Sequence, residues 1–296
     1  MRPGLAATAL LGVTAVWGST FFLIKDLLDR VPAADFLAVR FAIAFLVMLL
    51  VAPRAIGRIG PLARRRSVGA GLVYGVAQIL QTTGLGHTDA SVSGFITGLY
   101  VVATPVLASA AFGLRVPRTV WLAVVLSTAG LGILSLRGLS IGVGESLTLV
   151  CAILYAVHIV LLSRWSTAQD AYAMATIQMG VIALVSLAAA APHGMTLPDR
   201  GGDWLAVVYM AVVAGAVAML AQTWAQSQLD ASRSALLMTM EPVFAATFAI
   251  VLGDESVGWR LLVGGSLVLA AMVLAEWSGR TTAAALTTET PPRDVS

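Results

Sequence analysis

Runs of about twenty apolar residues, parted by short charged or turn-rich links, constrain this 296-residue chain more than any other feature. Cutting the sequence where charges, Pro or turn residues interrupt those runs predicts ten helices. They fall at 4–24, 33–52, 67–86, 91–112, 117–136, 143–163, 171–191, 204–225, 232–252 and 257–277. About 20 apolar residues in a helix cross the hydrocarbon of a bilayer, because each residue adds 1.5 Å. Only 11% of the residues are charged, against roughly 25% in a soluble domain whose surface must face water. A lipid-facing surface removes that demand. The fold class expected is an all-α membrane protein of ten transmembrane helices.

The placement of charge says how such a chain would sit. The net charge of +3 does not form a phosphate-binding face, because most basic residues occupy short links between apolar runs. Nucleic acid is therefore not an expected partner. If the N-terminus is cytoplasmic, the inner segments hold Arg2, Arg54, Arg58, Arg64, Arg65, Arg66, Arg115, Arg118, Arg164, Arg233, Arg280 and Arg293. The outer ones hold Lys25, Arg30, Arg137, Arg200 and Arg260. That excess inside predicts both termini in the cytoplasm and a multi-pass protein of the cell (inner) membrane. Residues 5–24 lack a convincing small-residue cleavage site and read as a retained first helix. The one cysteine, Cys151, lies within an apolar run and reads as packing. The tail 280–296 is too poor in apolar residues to pack and is expected to be a disordered cytoplasmic segment.

The two halves of the chain resemble each other. Gln81, Asp89, Ala90 and Ser91 match Gln222, Asp230, Ala231 and Ser232 at a constant offset of 141. Trp17 matches Tyr155 and Arg40 matches Gln178 at 138, while Pro105 matches Pro242 at 137, one helical turn short. Five helices per half is an odd number, so the second half would enter the membrane from the opposite side. Residues 1–139 and 140–279 would then be two inverted five-helix repeats, an arrangement that places a solute site near the midplane between them.

Several stretches carry a family resemblance. Trp17-Gly18-Ser19-Thr20 through Lys25, and Ala38-Val39-Arg40-Phe41 with Ala44, resemble the first-repeat signature of EamA-type members of the drug/metabolite transporter (DMT) superfamily. Asp230-Ala231-Ser232, Glu241-Pro242-Val243-Phe244, Gly253-Asp254-Glu255 and the later Gly264-Gly265 resemble its second-repeat signature. Gly144-Glu145 and Tyr155-Ala156 also fit, and the likeness runs over residues 5–277. One departure is Arg115 in the first half where the second has Glu255. The resemblance implies a secondary active transporter that exports amino acids, other small metabolites or toxic compounds, commonly by proton antiport. It implies no cofactor. The expected partners are a small-molecule substrate, protons and the lipid bilayer, with the chain a monomer or homodimer.

Polar groups deep in a membrane are the informative ones, since each costs several kcal/mol unless it is satisfied or faces water. Glu241, about ten residues into predicted helix 9, would lie roughly 15 Å deep beside Pro242, which frees a backbone carbonyl one turn earlier. It is the first proton-coupling candidate; the competing reading is a carboxylic acid bonded to a neighbouring helix. His158, one turn from Tyr155, is the second, although a lone helical His is more often simply hydrogen-bonded. Gln78 and Gln81, with Gln222 and Gln226, lie within narrow arcs of their helices and offer both donors and acceptors to a polar solute. Interhelical hydrogen bonding would explain them equally well. Trp17, Tyr155 and Tyr100 could line a cavity or merely pack. Arg40, about seven residues into helix 2, is read as structural, its long side chain snorkelling to the outer interface. Gly94-x-x-x-Gly98 reads as a close-packing motif.

The competing classes are an intramembrane enzyme and a non-transporting sensor or assembly partner. H-E-x-x-H, G-x-S-x-G and P-loop motifs do not occur, and no metal site is expected of His87, His158 and His193, which fall in separate segments. The charge argument has a direct check. Reporter fusions after Arg66, Arg118 and Arg280 are expected in the cytoplasm, and fusions after Asp89 and Asp199 in the periplasm. A periplasmic reporter at Arg66 would overturn the orientation and the inverted repeat together.

Overall fold

The computed structural model describes residues 3–112, 118–137, 140–229, 234 and 237–288. Its helices are α1 (Pro3–Leu28), α2 (Ala33–Val51), α3 (Ala55–Arg58), α4 (Pro61–Leu85), α5 (Ala90–Thr97), α6 (Tyr100–Phe112), α7 (Arg118–Ser135), α8 (Val143–Trp165) and α9 (Ala171–Ala190). A 3-10 turn at Ala191–His193 follows, then α10 (Gly201–Ala211), a π-helical segment at Val212–Val217, α11 (Ala218–Gln226), α12 (Glu241–Leu252) and α13 (Trp259–Thr288). A two-residue antiparallel pair, Leu136 with Ile141 and Arg137 with Ser140, is the one sheet among the described residues.

Six stretches are long and apolar enough to cross a membrane: Gly4–Leu28, Ala33–Val51, Ala90–Ala110, Val143–Trp165, Ala171–Ala190 and Gly201–Gln226. Arg118–Leu134, Glu241–Leu252 and Trp259–Ala275 are shorter apolar helices. Large apolar side chains stand outward, with Leu50 79% and Leu205 73% exposed. In water such surfaces would drive aggregation, whereas acyl chains solvate them at no cost. The chain is an all-α, multi-pass membrane protein.

The differences from the expected helices have local causes. α4 begins at Pro61, six residues before the apolar boundary, with Gly60 as its N-cap residue. Pro is favoured in a first turn, and Arg64, Arg65 and Arg66 are good helix formers that hydropathy alone would exclude. The fourth predicted helix is interrupted at Gly98–Leu99 and resumes at Tyr100. Glu241 is not ten residues into a helix but opens α12, with Pro242 in the first turn, where its missing N–H costs nothing. Helix restarts at Tyr100 and Glu241 keep the offset of 141, so the match of Pro105 with Pro242 was one turn out of register. The last helix runs past Arg280 to Thr288, into the tail expected to be disordered. Arg115, Asp230, Ala231, Ser232 and residues 289–296 lie outside the described residues.

Packing follows the repeat. α1 packs on α11 and α12, while α8, its counterpart, packs on α4, α5 and α6. α2 contacts α10, and α9 contacts α4; the pairs α2–α9 and α7–α13 join equivalent elements, and α5 packs on α12. Exchanging the halves maps the contacts of α1, α2, α8 and α9 onto one another. Close approaches tie these pairs. A Cβ on Gly94 would lie 2.7 Å from the Ala245 Cβ, and one on Gly98 3.1 Å from the Pro242 ring, so this spacing seats α5 against α12. Gly84 and Gly144 do the same for α4 and α8, each within 2.7 Å of the other's carbonyl oxygen by that measure.

Gly94→Leu is expected to destabilise the protein by about 1–3 kcal/mol, since well-packed helices must part to admit the side chain. Gly12→Leu, where nothing lies within 4 Å of the added carbon, should melt like the parent. Thermal unfolding of the purified proteins in detergent compares the two.

Candidate functional site

The interrupted helices meet around a small cavity of about 40 Å³. Its walls include Trp17, Thr20 and Phe21 of α1, Arg40 of α2, Tyr74, Gln78 and Gln81 of α4, and Tyr100 of α6. Tyr155 and His158 of α8, Gln222 of α11, Met238 just ahead of α12 and Glu241 of α12 complete the lining named here. Nine of the ten residues singled out from the sequence are thus brought together. The exception is Gln226, which is buried one turn beyond Gln222 but does not line this cavity. Tyr74 was missed, although it shares a helical face with Gln78 and Gln81; its ring lies 5.2 Å from that of Tyr155 and 4.7 Å from that of His158. That spacing was the signal available.

Glu241 is 5% exposed and sits at the first position of α12. The Tyr100 hydroxyl lies 2.9 Å from Glu241 Oε2 and 3.1 Å from the Met238 carbonyl oxygen. One hydroxyl carries one proton, so it serves one acceptor at a time. With Glu241 ionised, Tyr100 donates to the carboxylate. With Glu241 protonated, the carboxyl donates to the Tyr100 oxygen and Tyr100 turns its proton to Met238. Both states of the carboxyl are satisfied by rotating a hydroxyl, without displacing a heavy atom.

The glutamines are partnered across helices. Gln78 Nε2 donates to the Tyr155 hydroxyl at 2.7 Å, which donates to Gln81 Oε1 at 2.8 Å. Gln81 Nε2 then donates to Thr97 Oγ1 at 3.1 Å. In this conformation the chain bonds α4, α8 and α5 together, and a solute must compete with it. Gln222 differs, because its Oε1 is buried without a partner among the described residues. His158 is held by Gln178, with 2.7 Å between Nε2 and Oε1. The Gln178 amide donates to the Met174 carbonyl, which orients its oxygen toward the imidazole, so His158 Nε2 carries the hydrogen.

The π-helical segment has a visible role. Side chains from the first half occupy carbonyls at and beside it: Trp17 Nε1 donates to Ala214 O at 2.9 Å and Arg40 Nε to Met210 O at 3.1 Å. Arg40 does not snorkel. It is 4% exposed, lies against the rings of Phe36 and Phe41 and lines the cavity. The hydrogen bond to Met210 holds it inward, where its sequence position alone allowed either direction.

Polar contacts gather at the end of the bundle that holds the C-terminus of α1 and the N-termini of α2, α5 and α8. Glu255 accepts from the backbone N–H of Ala90 at 2.6 Å and of Ser91 at 3.1 Å. Asp254, at φ 55°, makes the left-handed turn that aims it. Lys25 donates to the carbonyls of Leu85 and Thr88, and Thr88 Oγ1 donates to Glu145 at 3.0 Å. Arg30 bridges Asp203 at 2.7 Å and Asp26 at 2.6 Å. Its hydrogen bonds to Asp203 and then Asp26 raise its pKa further, so it remains cationic throughout the working range.

The sequence model of the EamA-like transporter family matches residues 4–136 and again 142–277, the two halves described above. The chain belongs to that family. An uncharacterized transporter of Archaeoglobus fulgidus is 29% identical over 276 residues, which cover 92% of this chain and 84% of that protein. The uncharacterized inner membrane transporter YedA of Escherichia coli K12 is 24% identical over 276 residues, with 90% and 89% covered. A solved crystal structure shares the fold, with a TM-score of 0.67 at 18% identity over 93% of this chain and 98% of that one. As an EamA family member this chain is a membrane transporter.

The cavity assignment is tested by cysteine labelling. After Cys151 is replaced, Gln81→Cys and Gln222→Cys are each expected to react with a small water-soluble thiol reagent faster than Leu262→Cys, which stands 59% exposed on the outer, lipid-facing surface. Equal rates would remove these residues from a water-accessible path.

Proposed function

We propose that this EamA transporter is a secondary active exporter of amino acids or other small polar metabolites across the inner membrane, driven by proton antiport. The observation that carries the reading is the Tyr100–Glu241 pair, buried in the cavity between the halves and able to satisfy both charge states of the carboxyl. An exchanging site needs those two states close in free energy, or one of the two ions would never leave. A solute that presents a cationic or donor group to Glu241 competes with the proton there, which couples inward proton movement to outward solute movement.

Access alternates when two inverted halves of five helices exchange conformations about the shared site. The matching contacts of α1, α2, α8 and α9 and the two family matches support that arrangement. In this conformation Glu255, Lys25, Thr88 and Arg30 tie the helices together at one end of the bundle. With both termini cytoplasmic, that end faces the periplasm, so its contacts must break for solute to leave.

The test uses everted vesicles and a solute first identified by metabolite excretion from an overexpressing strain. Glu241→Gln keeps the shape and the hydrogen bond from Tyr100 but does not titrate. It is expected to bind the solute and exchange it, while gradient-driven accumulation falls to the level of vesicles without the protein. Accumulation equal to that of the parent would move the proton to another group, with His158 next to be replaced.

A further inference from the structure

The cavity holds a second charged side chain that proton coupling leaves unused. Arg40 is buried, yet among the described residues no carboxylate lies within 4.0 Å of its guanidinium. A buried cation is stable only when it is paired and its N–H groups are bonded. Among the described residues only Nε is bonded, to the Met210 carbonyl beside the π-helical segment, and the rings of Phe36 and Phe41 pack at 5.8 and 5.0 Å from the guanidinium carbon. Anchoring the Nε edge leaves Nη1 and Nη2 as a fork on a side chain that lines the cavity. Two parallel N–H donors match the two oxygens of one carboxylate.

We infer that the transported solute carries a carboxylate and docks it end-on against Nη1 and Nη2 of Arg40. The inference rests on the cavity being the solute site and adds the charge that the solute must bear. A carboxylate suits the site better than a phosphate, because no Lys or second Arg among the described residues lines the cavity to balance a dianion. Aromatic rings of Trp17, Tyr74, Tyr100 and Tyr155 line the rest of the wall, so an apolar or aromatic body on that acid would lie against them once the cavity widens. Gln222 Oε1, buried without a partner, offers an acceptor for a donor group on the same solute. Glu241 is not ion-paired with Arg40, so the proton site and the carboxylate site occupy separate parts of one cavity.

The full chain, purified in detergent, separates this role from a structural one. Its melting temperature is measured with matched probes at millimolar concentration: L-phenylalanine against L-phenylalaninamide, and benzoate against benzylamine. A ligand that binds only the folded protein raises its melting temperature with concentration. The acids are expected to raise it and the uncharged or cationic partners to leave it unchanged. Arg40→Met leaves the Met210 carbonyl without its bond, so it should melt lower than the parent without added solute, and it should lose the response to acids. Arg40→Lys should keep a weaker response, since it retains the charge but not the fork. An Arg40→Met variant that keeps the parent's response to acids would make Arg40 a purely structural residue and overturn the inference. So would equal stabilisation by the amide and amine, or no shift with either acid. Glu241→Gln should retain the response to acids. If that variant also accumulates solute as well as the parent, proton coupling at Glu241 fails while the carboxylate site stands.

Discussion

A backbone N–H or C=O that lacks a partner costs several kcal/mol in hydrocarbon, and much of this structure follows from that cost. Unbroken helices meet it within themselves. The interruption at Gly98–Leu99 is closed by local turns, whereas carbonyls at or beside the π-helical segment and ahead of Glu241 take partners from elsewhere in the fold. Side chains of the opposite half supply many of them: Tyr100 to Met238, Arg40 to Met210, Trp17 to Ala214, and Glu255 to the N–H groups of Ala90 and Ser91. The halves are therefore joined by the groups that compensate for their own breaks. Irregular backbone at membrane depth is tolerated where it is buried in protein or lines a cavity, and here it does both.

That arrangement couples stability to function. In the proposed alternating access, a contact that satisfies a broken helix in one conformation would be exchanged for another. Tyr100 illustrates how small the exchange can be, since a hydroxyl rotation carries it between Met238 and Glu241. The Gln78–Tyr155–Gln81–Thr97 chain is a larger store of exchangeable bonds, because each member can trade a helix partner for a solute atom of similar polarity. Small-residue contacts at Gly84–Gly144 and Gly94–Ala245 hold the helices close while those polar groups change partners. Dispersion forces between backbones at that distance do not depend on which hydrogen bonds are made.

Charge is distributed with similar economy. The pair of Arg30 with Asp203 sits at a helix end, where water remains near and the ions lose little solvation. Arg40 and Glu241 are buried far from bulk water and are not paired with each other. In a static core that would be a defect. In the proposed transport cycle each group would be kept for a partner that comes and goes.

Much of this was legible in the sequence because lipid makes hydropathy a strong signal. Apolar runs located the helices, residues at constant offset exposed the two halves, and polar residues inside apolar runs marked nine residues of the cavity wall. Each of those signals is local, set by what a segment contains. The direction of Arg40, the position of Glu241 at the start of a helix rather than within one, the π-helical segment and the place of Tyr74 were decided only by the tertiary structure. Their common cause is that the partners at these sites come from distant segments, and no window of sequence contains both sides of such a bond. The residue types that could carry transport are written in the chain, while which of them meet, and across which broken helix, is settled by how the halves pack.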